Sequence, residues 1–310
     1  MTIQQLQYVI AITEAGSMNK AAEQLYVSQP SLTGAVKELE KEAGFAIFYR
    51  GGRGMTLTPE GADFVLYARE VLQQFENLQE HIGASRDRKK KFGVSTQQYS
   101  FAVKAFVELV REFDTARYEF AIRETRTRNV ITDVAEMRSE IGVLYLSDFN
   151  RAAIGKLLRT ADLEFHHLID CGTYVYLWKG HPLAKQNVIR FKDLRDYPCL
   201  AFEQGDAASF YFAEEILSTE DYQRVIKACD RATMLNLMVG LNGYTLCSGI
   251  ICEELNGDDY LAIPFEQDGD PSVMEIGYVT RKRAALSSIG SLYVKKMAEY
   301  LGIPGQSLQQ

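Results

Sequence analysis

Short polar side chains crowd one stretch of a helical pattern. They are Ser28, Gln29, Ser31 and Thr33, with Pro30 among them and Lys37 one turn later. An amide such as Gln29 can pair with the edge of adenine, and the hydroxyls of Ser31 and Thr33 can hydrogen-bond to several bases. The Thr33 methyl can touch the methyl of thymine, and Lys37 can reach a phosphate. A helix held only by packing needs none of these groups, so the stretch predicts a surface that reads double-stranded DNA.

Three predicted helices position these side chains. Apolar spacing predicts helices over Ile3–Ala15 and Met18–Leu25, and Ser28 is a suitable N-cap for a third helix that runs to about Ala43. Pro30 falls in its first turn, where a missing N–H costs nothing. Two helices, a tight turn and a third helix form a helix-turn-helix, whose second helix enters the major groove. The alternative is a three-helix bundle with an over-capped helix.

A β-wing is predicted after the third helix. Phe45–Phe48 and Met55–Thr58 have the apolar character of short strands, and a glycine-rich turn separates them. Arg50 and Arg53 in this turn are placed for contact with phosphates or with the minor groove. Thr58, followed by a proline and a glutamate, then begins another helix.

That next helix, Pro59 to about Ala84, carries an apolar seam. Its members repeat every four and three residues over nearly three heptads, as in a coiled coil. They are Phe64, Ala68, Val71, Phe75, Leu78 and Ile82. The other faces carry charges or amides, so we expect this linker helix to pair with the same helix of a second chain. The alternative is that it packs on its own chain.

These segments resemble the LysR-type transcriptional regulators. The stretches that carry the resemblance are AAEQLYVSQPSLTGAVKELEKEAGFAIFYR and LTPEGADFVLYA. The resemblance implies a winged helix-turn-helix, a dimerising linker helix and an effector-binding domain shaped like a periplasmic binding protein. It also implies a homodimer or homotetramer that works with RNA polymerase. Gly34 and Ala35 stand where such proteins usually carry a basic or amide residue, so DNA contacts are expected from the other polar residues of the third helix.

The composition is that of a globular protein with more than one domain. The chain has 310 residues, of which 46% are hydrophobic and 24% charged. No apolar stretch approaches the roughly 18 residues of a membrane span, and the N-terminus lacks the features of a signal peptide, so no membrane contact is expected. Five cysteines without a C-x-x-C pair indicate reduced thiols and a cytoplasmic location. Residues 1–91 are electrically balanced and the formal charge of −7 lies beyond them, which fits a nucleic-acid module on an acidic body.

The residues after 91 alternate between predicted strands and helices. This βαβ order predicts parallel sheets in two α/β lobes, and one predicted helix spans Ala208–Leu217. The expected fold class is α/β with an all-α-rich head: a winged helix-turn-helix, a long linker helix and a two-lobed domain like a periplasmic binding protein. The expected domains are 1–58 for the head, 59–91 for the linker helix and hinge, 92–163 with 268–310 for the first lobe, and 164–267 for the second lobe. The resemblance alone suggests that the chain crosses between the lobes near Glu164 and Gln267.

Polar side chains follow several predicted strands, where ligands of open α/β sheets bind. Those expected to hold an effector are Thr96, Gln97, Gln98, Tyr99, Ser100, Thr125, Thr127, Glu203 and Gln204. Hydroxyls and amides at a helix N-terminus suit a carboxylate, so a small anionic effector is predicted. Arg126 or Arg128 can pair with such a ligand or remain a surface charge. The alternative for the serines and threonines is ordinary capping of helices.

No motif for catalysis or for a bound cofactor is found. The four histidines show no metal-ligand spacing with cysteine or carboxylate, and no nucleophile or phosphate-binding motif is present. We therefore predict that the protein is not an enzyme and has no metal or cofactor apart from its effector. The competing interpretations are a solute-binding module and an enzyme with an unrecognised catalytic set. Cys247 and Cys252 suggest a redox switch as a further alternative, although a buried thiol is usually inert.

Overall fold

The computed structural model of the protein describes residues 1–51, 54–81, 89–113, 117–205, 210–267, 272–282 and 284–303. Its internal contacts divide the chain into two compact units, Met1–Arg88 and Lys89–Gln310. Within the described residues, no helix is long and apolar enough to cross a membrane.

The first unit begins with three helices, α1 Ile3–Ala15, α2 Met18–Gln24 and α3 Gln29–Ala43. Thr2 caps α1, because its hydroxyl accepts the Gln5 N–H at 3.2 Å and its own N–H donates to the Gln5 side chain at 2.9 Å. Gly16 ends α1 in the left-handed region, at φ +61°. The buried core comprises Val9, Ile12, Ala21, Ala22, Leu32, Val36 and Leu39. The three predicted helices are confirmed to within one residue at each end.

Two antiparallel strands follow, β1 Phe48–Gly51 and β2 Gly54–Leu57, with Phe48 opposite Leu57. The predicted strand Phe45–Phe48 is therefore wrong, since only its last residue is in a strand. Glu40 of α3 explains the difference. Its Oε1 accepts the N–H groups of Ile47 at 2.9 Å and Phe48 at 3.2 Å, so α3 holds the segment just before the ladder, which begins only at Phe48.

The long helix α4 spans Pro59–His81. The Thr58 hydroxyl accepts the Gly61 N–H at 2.8 Å and donates to the Ala46 carbonyl at 2.6 Å, so one side chain caps α4 and fixes it to the segment before β1. A Cβ on Gly61 would collide with the backbone of Ile47, which explains why a glycine stands there. The first turns of α4 thus belong to the head.

The second unit contains ten strands and seven helices among its described residues. The strands are β3 Lys90–Thr96, β4 Tyr118–Glu124, β5 Ile141–Leu146, β6 Leu163–Cys171, β7 Tyr174–Trp178, β8 Cys199–Phe202, β9 Val225–Ala228, β10 Thr245–Cys247, β11 Tyr260–Pro264 and β12 Met274–Arg281. The helices are α5 Ser100–Arg111, α6 Thr127–Ala135, α7 Arg151–Thr160, α8 Phe191–Leu194, α9 Arg231–Leu241, α10 Glu253–Asn256 and α11 Ser288–Tyr300. Helices α7, α8 and α10 are not predicted from the sequence.

The first lobe is built on a five-stranded sheet of order β4-β3-β5-β12-β6. β3 is parallel to β4 and β5, but β12 is antiparallel to both β5 and β6. The predicted parallel arrangement is therefore confirmed for β3, β4 and β5 and wrong for β12. β12 arrives after the second lobe instead of through a crossover helix, so its direction is not bound by the βαβ rule.

The lobe boundary predicted at Glu164 is also wrong. β6 pairs with β12 over its whole length, from Leu163 opposite Arg281 to Cys171 opposite Met274. The chain therefore leaves the first sheet only after Cys171, and β7 begins the second lobe at Tyr174. On the return, β11 of the second lobe ends at Pro264 and β12 begins at Met274.

The second lobe holds a three-stranded antiparallel sheet, β10-β7-β11, and a parallel pair, β8 and β9. A single bridge between Cys199 and Tyr244 links the two. Helix α9 covers them, with Met234 and Met238 buried against Leu200 and Ala228.

The predicted helix Ala208–Leu217 is wrong for its described part, which contains one 3-10 turn, Phe210–Phe212. Two kinds of long-range contact explain why this segment is not a regular helix. Phe212 and Ile216 are buried in separate hydrophobic clusters. The carboxyl groups of Glu214 and Glu215 accept backbone N–H groups from Gln98, in the turn after β3, and from Phe202 of β8. Residues 206–209 lie outside the described part of the chain.

Candidate DNA-reading helix and effector cavity

The first turns of α3 expose polar side chains on one face and bury the other. Gln29, Pro30, Ser31 and Lys37 are exposed, and Thr33 is half-buried. The opposite face, Leu32, Val36 and Leu39, is at most 1% exposed. The core of the head therefore fixes the direction in which the polar row points.

Short hydrogen bonds align this polar row. Gln29 Nε2 donates to Thr33 Oγ1 at 2.8 Å, and Lys37 lies one further turn along the same face. The hydroxyls of Ser28 and Ser31 lie 2.7 Å apart, and the Ser31 N–H donates to Ser28 Oγ at 3.3 Å. None of these side chains is fully buried, so a base or phosphate can replace these partners without leaving a buried group unpaired.

Tyr26 is a residue that the sequence analysis missed. It lies in the turn between α2 and α3, is 95% exposed and has a left-handed backbone, at φ +54°. A large exposed aromatic in a strained turn beside the polar end of α3 is a candidate for contact with the DNA backbone. The sequence offers little signal for it, because tyrosine is not a residue that favours positive φ.

The predicted wing arginines are described only in part. Arg50 lies in β1 opposite Met55. Its side chain, and the whole of Arg53, lie outside the described residues.

The apolar seam of α4 divides into two parts. Ala68 is 3% exposed, and Phe64 meets Phe45 edge-on with ring centroids 6.1 Å apart, so both contact the head of their own chain. Val71 and Leu78 are 46% and 56% exposed, and Phe75 between them is half-buried. Ile82 lies outside the described residues. The exposed apolar part of the seam is thus its second half.

In the second unit, residues at the ends of β3 and β4 come together, and several of them serve the fold. Gln97 is fully buried: its Nε2 donates to Thr127 Oγ1 at 2.6 Å and its Oε1 accepts the Tyr145 N–H at 3.0 Å. The Thr125 N–H donates to the Thr96 carbonyl at 2.9 Å. Gln97 and Thr127 therefore connect the ends of neighbouring strands and stabilise the first lobe.

Other predicted effector residues join the two lobes directly. Arg126 Nη2 lies 3.2 Å from Glu203 Oε2, and its Nε donates to the Glu203 carbonyl at 3.1 Å. The Thr127 N–H donates to Gln204 Oε1 at 3.2 Å. The Gln98 N–H donates to Glu214 Oε2 at 2.8 Å. The strand ends predicted to surround a ligand therefore bind each other across the cleft.

A cavity of about 80 Å³ lies between the lobes. The first lobe contributes Gln98, Tyr99, Ser100 and Met274. The second lobe contributes Tyr176, Phe202, Glu214, Glu215, Arg231, Met234, Leu235, Thr245, Leu246, Cys247, Ser248, Ile250, Ile251 and Asn256. Its wall is mostly apolar with a few polar groups, as in small-molecule sites.

The sequence prediction finds part of this cavity. Gln98, Tyr99 and Ser100 line it. Six other predicted residues do not: Thr96, Gln97, Thr125, Thr127, Glu203 and Gln204. The sequence analysis missed Glu214, Glu215, Arg231 and Thr245, which come from segments more than 100 residues further along the chain and carry no motif.

Burial sets the electrostatics of the cavity. It raises the pKa of Glu214 to about 7, against hydrogen bonds from Gln98 and Gln204 that lower it. It raises the pKa of Glu215 to about 8, with a further increase from the charge of Glu214. Burial also lowers the pKa of Arg231 to about 10. Arg231 pairs with Glu124 of the first lobe, and its Nη1 donates to Asn256 at 3.2 Å.

Comparison with known protein families agrees with both units. Residues 3–62 match the model of the bacterial regulatory helix-turn-helix protein, lysR family. Residues 98–301 match the model of the LysR substrate binding domain, which by itself covers more than half of the chain.

The chain belongs to the LysR family. It is accordingly a DNA-binding transcriptional regulator with an effector-binding domain. It is 28% identical over 214 residues to the HTH-type transcriptional regulator YvbU of Bacillus subtilis strain 168, an alignment that covers 68% of this chain and 69% of that one. It is 26% identical over 209 residues to the RuBisCO operon transcriptional regulator of Allochromatium vinosum, covering 66% and 65%.

The fold of this LysR regulator is also that of a solved relative. A variant of full-length OxyR from Pseudomonas aeruginosa superposes with a TM-score of 0.66 at 20% identity, covering 98% of this chain and 96% of that one. The predicted fold class, a winged helix-turn-helix head with a two-lobed α/β domain, is confirmed.

The five cysteines of this LysR regulator are free thiols. Burial raises the pKa of Cys171 to about 11, and that of Cys199 and Cys247 to about 12. Since the thiolate is the reactive form, these three are poor redox sensors. Cys229 is exposed, but its Sγ donates to Glu203 at 3.2 Å, which raises its pKa. Within the described residues, no three His, Cys, Asp or Glu side chains group to hold a metal.

Proposed function

We propose that this LysR regulator reads its operator with the first turns of α3. Gln29, Ser31 and Thr33 contact base edges in the major groove, Pro30 packs against them, and Lys37 contacts a phosphate. The observation that supports this most directly is the burial of Leu32, Val36 and Leu39, which leaves the polar row as the free face of the helix. Arg50 and Arg53 of the wing add contacts outside the major groove.

We further propose that α4 joins two chains, as a homodimer or as half of a homotetramer. Val71, Phe75 and Leu78 form the contact, and Ile82 extends it. Val71 and Leu78 leave large apolar side chains about half exposed, which a second helix would cover. Two copies of α3 would then meet two half-sites of one operator.

The small-molecule effector, in this proposal, occupies the cavity between the lobes and contacts Gln98, Tyr99 and Ser100. Thr127, Glu203 and Gln204 act as the contacts that set how the lobes close around it. The effector changes DNA binding only through its different affinity for two arrangements of the lobes. The protein then acts on RNA polymerase by binding, without a catalytic step of its own, in the cytoplasm.

Footprinting on genomic fragments that the full-length protein retains tests this proposal. We expect two protected half-sites whose centres are about 10 base pairs, or a multiple of that, apart. The Gln29→Ala, Thr33→Ala double variant should give no footprint at the same concentration. A single unpaired site would contradict the dimer, and retention without any sequence preference would contradict reading by α3.

A further inference from the structure

Two neighbouring carboxyl groups form one wall of the interlobe cavity. Glu215 is 6% exposed, and Glu214 is partly buried beside it. Backbone N–H groups hold both in place: Gln98 donates to Glu214 at 2.8 Å, and Phe202 donates to Glu215 at 2.7 Å. The Gln204 amide also donates to Glu214, at 2.9 Å. The carboxyls are therefore fixed at the cavity by contacts from both lobes.

The charged groups around Glu214 and Glu215 do not neutralise the negative charge that this pair carries when it is ionised. Arg231 is the one cation among the described residues that line the cavity, and Glu124 already pairs with it. The other titratable groups near the pair carry no positive charge: Tyr99 and Tyr145 from the first lobe, and Cys199 and Tyr222 from the second. On its far side Glu215 also lines a second cavity, with Glu220, Asp221 and the exposed Lys227. No ion pair joins Lys227 to Glu215 among the described contacts.

Four polar atoms of the same cavity wall have no hydrogen-bond partner within the described residues. They are Thr245 Oγ1, Tyr99 OH, Gln98 Oε1 and Arg231 Nε. Thr245 is only 6% exposed, so water outside the protein cannot reach its hydroxyl freely. Buried polar groups in folded proteins nearly always have a partner. This cluster of unpaired atoms, independent of the carboxyls, leaves hydrogen-bonding capacity in the residues that line the cavity, which a polar ligand can use.

We propose that the effector is a small organic molecule with a protonated amine, and that its ammonium group binds between Glu214 and Glu215. The apolar wall of Met234, Leu235 and Ile250 then takes its hydrocarbon part. A cavity of about 80 Å³ suits a small molecule. This inference rests on the proposal that the cavity is the effector site, and it replaces the anionic effector predicted from the sequence.

The raised pKa values of Glu214 and Glu215 also predict how ligand binding depends on pH. Because burial raises the pKa of both carboxyls, the free pair holds at least one proton at neutral pH. A bound ammonium group supplies the positive charge instead, and the proton leaves to solvent. For each proton that binding releases, the affinity for the amine should rise about tenfold per pH unit. This rise should stop at the pH where both carboxyls are already ionised in the free protein.

The test uses full-length protein and three compounds with one carbon skeleton: propylamine, alanine and propionate, with their four- and five-carbon homologues. Binding is measured by calorimetry between about pH 6 and pH 8, in two buffers with different ionisation enthalpies. We expect an amine or an amino acid to bind, to release about one proton and to bind about tenfold more tightly at pH 7 than at pH 6. Binding by alanine but not by propylamine would assign an amino acid, in which the carboxylate meets the unpaired hydroxyls.

The variants E214Q and E215Q should each weaken amine binding at least tenfold and flatten its pH dependence. E220Q, which removes an exposed acid from the same segment, is the matched control and should change neither. If a glutamine variant does not fold, proton release on amine binding by the wild type still tests whether an ammonium group binds at the two carboxyls. Binding by propionate alone, amine binding without proton release, or no binding by any amine of the series would overturn the inference.

The results that would contradict the proposed function differ from those that would contradict the ammonium ligand. If propionate or a homologue binds and changes the affinity for DNA, the cavity remains the effector site and only the ammonium assignment is lost. If a compound binds in the cavity and the affinity for DNA stays constant, the proposed regulation is wrong and the ligand class stands.

Discussion

Arg126 Nη2 lies 3.2 Å from Glu203 Oε2, and this pair joins the end of β4 in the first lobe to the end of β8 in the second. Both side chains are about two-fifths exposed, at 43% and 40%, so solvent screens their attraction. The bond from Arg126 Nε to the Glu203 carbonyl adds a directional contact to the same pair. The two corners predicted to hold an effector therefore hold each other.

Arg126→Ala should loosen the lobes with little loss of stability. We expect the free energy of unfolding to fall by at most about 1 kcal/mol, because the pair is exposed. The rate at which an effector dissociates should rise several-fold, since closure is weaker. Stopped-flow binding measures that rate. Arg190→Ala is the control, because Arg190 makes a similar exposed pair with Glu266 inside one lobe. Equal effects of the two variants would contradict a role in closure.

Stability should fall as the pH rises through neutrality. Glu215 in the unfolded chain loses its proton near pH 4.5, whereas burial in the folded protein raises its pKa to about 8. The folded state thus binds more protons between these values, and raising the pH favours unfolding. Between about pH 5.5 and pH 8.5 the free energy of unfolding of the second unit should drop by about 3 kcal/mol from Glu215 alone.

Urea unfolding followed by tryptophan fluorescence measures this drop. The one tryptophan, Trp178, lies in β7, so its signal reports on the second unit. Glu215→Gln should reduce the pH-dependent drop by about half or more, and Glu220→Gln should leave it unchanged. A wild-type stability that stays flat over this range would show that Glu215 is ionised throughout.

How far the sequence predicts this fold depends on the distance between interacting residues. The helices of the head follow from signals such as Ser28 and Gly16, which act within one turn. Ala208–Leu217 has a helical pattern, but Phe212 and Ile216 are buried in different hydrophobic clusters. These long-range contacts outweigh the local preference for a helix. The pairing of β6 with β12, which moves the predicted lobe boundary, joins residues over 100 positions apart.

The same limit applies to the cavity. Gln98, Tyr99 and Ser100 are predictable from the sequence because they follow a strand at a helix N-terminus. Glu214 has no such neighbourhood in the sequence, and only the fold brings it to Gln98, 116 positions away.

Leu78→Glu should separate the oligomer. A charge in the exposed apolar part of α4 would be buried against a second helix, and burying an unpaired charge is costly. We expect light scattering to show at least a halving of the molar mass. Ala62→Glu, at an exposed position nearer the start of α4, is the control and should keep the wild-type mass. A monomeric wild type, or a variant of unchanged mass, would contradict pairing through this face.

Oxidation should leave DNA binding unchanged. Burial raises the pKa of Cys199 and Cys247 to about 12, so the reactive thiolate is scarce at neutral pH. After brief treatment with hydrogen peroxide, we expect the affinity for DNA to stay within about twofold, and mass spectrometry to show free thiols. A disulfide within the chain that changes the affinity would establish a redox switch.

The affinity of full-length protein for the DNA upstream of its own coding region, at moderate salt, tests the central claim most directly. A fragment from genomic selection serves if that region is not bound. Gln29→Ala with Thr33→Ala should weaken specific binding by about ten- to a hundredfold and leave non-specific binding unchanged, since these side chains contact bases. Gln7→Ala, an exposed glutamine on α1, is the matched control. Equal specific affinity of the double variant and the wild type would contradict reading of DNA by α3.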